Sequence, residues 1–186
     1  MSYISTVKQG NLLEENATFI VNASNTRLIL GTGVSSAFKQ HCGAKLQQEM
    51  LEIYQTVEKP IEQGTVFVTS SGEATNFKYA LHASVMNYNL GSQYTEKLPT
   101  LQVIHDILEN IEGHLNWYTQ DSKEIIKLVL PLMGCGVGGL DKETVINKYK
   151  SFFDREVAFN CEVVIYGYLK EDYELIKSIF IEDYTS

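Results

Sequence analysis

The chain has 186 residues, 44% of them hydrophobic and 20% charged. The expectation is one folded domain over residues 1–186, with enough apolar material for its own core. Its formal charge is −8, from 15 basic and 23 acidic side chains, so bulk nucleic-acid binding through a basic face is not expected. A membrane span is excluded as well, because the most apolar stretch, residues 125–140, is broken by Lys127, Pro131 and glycines.

In chain order, residues 3–8 alternate weakly and predict a first strand. Residues 18–21 are short, apolar and β-branched and predict a buried strand. Residues 22–33, rich in Asn, Ser and Gly, predict a loop. Helical periodicity then begins at Val34 with Ala37, Phe38 and Cys42. It resumes after Gly43 with Leu46, Met50, Ile53 and Tyr54. Pro60 and Gly64 bracket the next boundary. Strands are predicted over residues 65–69 and 79–85, with a loop over 70–77 between them. Residues 98–117 give the longest helix, with an apolar stripe of Leu101, Ile104, Leu108, Ile111 and Leu115. Residues 125–133 read as a strand buried on both faces. Asp141 suits the N-cap of a helix whose stripe is Val145, Tyr149, Phe152 and Phe153. A strand over 163–168 and a helix over 171–181, with Tyr173, Ile176 and Phe180 inward, close the pattern. Strands alternating with helices imply an α/β sandwich on a mixed or parallel sheet.

The three cysteines (Cys42, Cys135, Cys161) form no Cys-x-x-Cys pair, and His41, His82, His105 and His114 show no metal-ligand spacing with them. Reduced thiols and a cytoplasmic setting are expected, with no metal, no cofactor and no membrane association. The first ten residues lack an apolar signal core.

Two glycine clusters mark the candidate site. Gly31-Thr32-Gly33-Val34 lies between a strand and a helix. Gly134-Cys135-Gly136-Val137-Gly138-Gly139 follows the most apolar strand. Ligands of open α/β folds lie beyond the carboxyl ends of the strands. Glycines there allow backbone N–H groups to approach an anion, and a helix beginning at Val34 aims its dipole at the same spot. Neither cluster is a dinucleotide or P-loop fingerprint: Ser36 stands where a third glycine would be, and no Gly-Lys-Ser/Thr occurs.

Together, Gly10-Asn11-Leu12-Leu13, Ile20-Val21-Asn22-Ala23-Ser24-Asn25, Gly31-Thr32-Gly33-Val34 and the run from Pro131 to Leu140 resemble a macro domain. Residues 64–69, 79–83 and 166–169 follow in that family's order. The resemblance implies a three-layer α/β/α sandwich around a mixed sheet of about six strands. It implies binding of ADP-ribose, free or attached to protein or another molecule. Carried over, Gly31, Thr32, Gly33, Val34, Cys135, Gly136, Val137, Gly138 and Gly139 would wrap the diphosphate. Val21, Asn22 and Asn25 would sit by the first loop and distal ribose, Asn11 would meet the adenine amino group, and Tyr168 would stack on the base.

Other roles remain open from the residues alone. Asn22 and Asn25 also suit loop bracing, and Tyr168 also suits core packing. Two catalytic groups of hydrolase branches are missing: Ser35 replaces a carboxylate and reads as a helix N-cap or first-turn residue. Ser70-Ser71 occupy the place of a lysine, with Lys78 the nearest and out of position. His82 reads as a core histidine, and Cys135 as a nucleophile only if a base lies near it in space. The alternatives to simple binding are removal of ADP-ribose, or of a phosphate or acyl group from its distal ribose, and a phosphate site for another nucleotide.

Overall fold

The computed structural model describes residues 1–31, 33–89 and 98–181. Six strands form one sheet: β1 (Tyr3–Gln9), β2 (Ala17–Asn25), β3 (Val66–Ser70), β4 (Phe77–Met86), β5 (Ile126–Pro131) and β6 (Cys161–Gly167). Their spatial order is β1-β6-β5-β2-β4-β3. Every pairing is parallel except β3 with β4. Four helices complete the fold: α1 (Val34–Thr56), α2 (Leu101–Thr119), α3 (Lys142–Phe153) and α4 (Lys170–Ile181).

The central strands divide their side chains between two cores with period two. Leu128 and Leu130 of β5 join Val163 and Ile165 of β6 in the core beneath α2, α3 and α4. Val129, Val164 and Ile20 face the opposite way, against Phe38, Leu46 and Met50 of α1. The result is the expected three-layer α/β/α sandwich around a mixed six-stranded sheet. Helix starts follow local chemistry: Thr100 caps α2 by accepting from Val103 N–H, and Asp141 caps α3 by accepting from Thr144 N–H.

Three expectations need correction. The polar run at residues 22–25 is strand, not loop, because it is paired along β4 (Asn22 opposite His82, Ser24 opposite Ser84). Leu101 is exposed at the first turn of α2, and Ile107 takes its place in the buried stripe. Tyr168 lies just past β6 with 76% of its surface exposed, which removes core packing as its role.

Candidate functional site

β2, β4, β5, β6 and β1 all point their carboxyl ends to one edge of the sheet, where a long cleft opens. It consists of two cavities of about 550 and 480 Å³ that share Gly33, Val34 and Leu132 as common walls. The first is bounded by Asn25, Arg27, Gly31, Tyr88 and the 136–138 loop. The second is bounded by Asn11, Gln40, Tyr166, Tyr168 and Asp172.

At the junction the backbone is arranged for an anion. Gly33 is the N-cap of α1, with φ 64° and ψ −133° and no side chain to satisfy the first turn. Among the described residues, the N–H groups of Val34 and Ser35 have no protein acceptor, and neither do those of Gly136, Val137 and Gly138. A helix start without a cap leaves donors that a phosphate satisfies well. Both glycine loops therefore present unpaired donors at one cleft. Gly139 does not share in this, since its N–H donates to Gly136 O at 3.1 Å and closes the turn. Thr32 lies outside the described residues.

The remaining predicted residues divide between cleft and interior. Val21 is completely buried in the core of β2 and reaches no ligand. Asn22 is also fully buried, and its amide is engaged: Oδ1 accepts from Ser35 Oγ at 2.9 Å, and Nδ2 lies 3.0 Å from His82 Nδ1. Burial drives the His82 pKa down to about 3, so the ring is neutral. With Nδ1 accepting from Asn22, Nε2–H donates to Thr69 Oγ1 at 2.8 Å, and that hydroxyl donates to Ser70 O. This relay spans from the first turn of α1 to the edge strand β3. It makes Asn22 a brace rather than a ribose ligand, His82 the expected core histidine, and Ser35 a buried first-turn residue.

Asn25 lines the cleft while its side chain braces the β2–α1 loop. Oδ1 accepts from Arg27 N–H at 3.0 Å, and Nδ2 donates to Ile29 O at 2.9 Å. Gln47 of α1, not foreseen from sequence, completes the brace by accepting from Leu30 N–H and donating to Leu28 O. Asn11 lines the second cavity and caps a 3₁₀ turn (Leu12–Glu14), its Oδ1 accepting from Leu13 N–H. Cys135 turns its sulphur back towards Met133 O at 3.6 Å, and burial pushes its thiol pKa up to about 11. It packs against the core, which argues against a nucleophile and leaves its loop neighbours to face the cleft. Lys78 sits on the exposed face of β4 near Tyr118 and is not among the residues lining either cavity.

Arg27, Tyr88, Gln40 and Asp172 line the cleft without having been marked by sequence. Each belongs to no motif, and its position depends on how loops and helices converge at the strand ends. Among the described residues, Arg27 is the one charged side chain lining the first cavity.

Fold and cleft together define an α/β/α sandwich with a cleft at the carboxyl edge of its sheet. The family described as "Macro domain" matches residues 21–148, and the chain belongs to it. An uncharacterized protein of Aquifex aeolicus is 31% identical over 138 residues, covering 74% of this chain and 73% of its own. One from Saccharolobus solfataricus is 28% identical over 176 residues, covering 92% and 89%. Among solved structures, the Oceanobacillus iheyensis macrodomain with ADP superposes with a TM-score of 0.75 at 16% identity, covering 96% of this chain and 90% of that one. The macrodomain of Mycobacterium tuberculosis DarG gives 0.68 at 21% identity, covering 88% and 97%. At these identities the two structures establish the shared fold.

Proposed function

We propose that this protein binds ADP-ribose, free or attached to another molecule, along the cleft. The observation that carries the reading is the meeting of two sets of unpaired backbone donors, at the start of α1 and in the 136–138 loop. A diphosphate held there needs no lysine or arginine, which suits a chain of charge −8. The base extends towards Tyr168, whose exposed ring offers a stacking face, and the distal ribose towards Asn25 and Tyr88. Trypanosoma brucei and Oceanobacillus iheyensis macrodomains solved with ADP-ribose or ADP support the same ligand class. A cytoplasmic setting belongs to the same reading, supported by the three unpaired thiols.

Binding is favoured over turnover. Ser35 is turned inward, His82 is locked neutral in the relay, and the Cys135 thiol is held protonated. Among the described residues, those lining the distal-ribose cavity include no carboxylate. Calorimetry with ADP-ribose, ADP, AMP and NAD tests the reading. The expected dissociation constant for ADP-ribose is on the order of micromolar, about −8 kcal/mol. AMP binding as tightly as ADP-ribose would refute it, because AMP lacks both the diphosphate bridge and the distal ribose.

A further inference from the structure

The base end of the cleft poses a hydrogen-bonding problem that its predicted ligand does not solve. Adenine carries an exocyclic amino group that needs an acceptor when it leaves water. Asn11 Oδ1 already accepts from Leu13 N–H, and the Tyr166 hydroxyl donates to Glu15 at 2.6 Å, so each offers the base only a neutral oxygen. Of the described side chains lining this cavity, Asp172 is the one with a formal charge. Its side chain is 15% exposed, and Oδ1 accepts from Lys142 Nζ at 2.6 Å. Among the described residues, Oδ2 has no partner.

The backbone explains how a carboxylate in the last helix reaches the cleft. Gly167 ends β6, and a Cβ there would run into the backbone of Asp172 and Tyr173. The missing side chain lets the first turn of α4 close directly onto the strand end. Lys142, at the start of α3, then holds one carboxylate oxygen and fixes the other.

Resting on the ADP-ribose reading, we propose that Asp172 is the base-selecting residue of the cleft. Its free oxygen accepts the exocyclic amino group of adenine, and Lys142 acts as the positioning residue that sets the carboxylate's orientation. Selection then comes from hydrogen-bond complementarity rather than shape. A 6-oxopurine has the same outline but brings a carbonyl oxygen against Oδ2, so two acceptors face each other. Sites built to hydrogen-bond a ligand group reject analogues lacking it far more strongly than sites that only sense volume.

The test is calorimetry with ADP-ribose and its hypoxanthine analogue on wild type, Asp172→Asn and Lys142→Met, with thermal melts of all three. Wild type is expected to prefer ADP-ribose by at least roughly tenfold, the worth of one charge-assisted hydrogen bond. Asp172→Asn is expected to bring the two ligands within about threefold, because an amide can turn either its oxygen or its nitrogen to the base. Lys142→Met, which keeps the carboxylate, is expected to retain most of the preference. If Asp172 merely ties α4 to α3, both variants lose the same thermal stability and neither changes the ratio, and that result overturns the proposal. Equal affinity of wild type for the two ligands overturns it too. Failure of folded wild type to bind either ligand removes the ADP-ribose reading itself, and this inference with it.

Discussion

Substituting the two loop glycines separates backbone strain from ligand contact. Gly33 has φ 64°, a region that β-branched residues avoid, yet a Cβ there meets nothing within 4 Å. Gly33→Val therefore costs conformational energy without a steric clash in the empty protein, on the order of 1–3 kcal/mol. A stability of about 5–15 kcal/mol absorbs that, and for a domain of this size the melting temperature falls by roughly 3–10 °C. The added side chain also denies the diphosphate close approach to the start of α1. Losing two charge-assisted hydrogen bonds, at about 1.5–3 kcal/mol each, weakens binding by more than roughly 100-fold. Gly136 is the control, because it has no positive φ and the space around its missing Cβ is also open. Gly136→Val is expected to melt near wild type and still lose ADP-ribose affinity. Calorimetry and thermal melts on both variants measure the two effects apart. Normal binding by folded Gly136→Val would refute the two-loop phosphate site, and an unchanged melting temperature for Gly33→Val would refute the strain argument.

Two further outcomes follow from the cleft and its brace. Tyr168→Ala is expected to weaken ADP-ribose by about 1–2 kcal/mol while Tyr168→Phe loses little, as titration calorimetry would show, because an exposed ring offers its face rather than its hydroxyl. Ser35→Asp is expected to melt well below wild type. Ser35 is buried, and its Oγ faces the carbonyl oxygens of Asn22 and Ala23 at 2.9 and 3.1 Å, where a carboxylate would meet only acceptors.

The legible parts of this fold were those fixed by local pattern. The largely apolar run of β5, broken by Lys127 alone, the 3.6-residue stripe of α3 and the Asp141 cap each carry their cause within a few residues. The glycine loops were legible for the same reason, since their conformational freedom belongs to the residues themselves. What was hidden depends on distant partners. Residues 22–25 look like loop because they are polar, but Asn22 is satisfied by His82, 60 positions away, and that allows β2 to continue to its carboxyl end. Asp172 reaches the base end because a glycine five residues earlier removes an obstacle, and Gln47 braces a loop 17 residues before it. Sequence locates the two glycine loops because backbone builds them. It locates the specificity of the two ends poorly, because converging side chains build those.

The buried relay gives the protein an acid sensitivity whose sign can be worked out. Burial lowers the His82 pKa to about 3, against about 6.5 in an unfolded chain. Between these values the unfolded state binds the proton and the folded state does not, so stability falls as pH drops below the unfolded pKa and stops falling below the folded one. From pH 7.5 to 5 the loss is about 2 kcal/mol, or roughly 4–8 °C in melting temperature for a domain of this size. This window lies above ordinary carboxylate titration, and comparison with His82→Gln cancels the contributions of His41, His105 and His114. The variant is expected to be less stable at pH 7.5, since Asn22 and Thr69 lose their partner, and to show a flatter profile down to pH 5. Thermal melts across that range measure both. Parallel profiles for wild type and variant would mean that His82 takes up its proton without unfolding, and that the relay from Thr69 to the first turn of α1 is not locked in its neutral form.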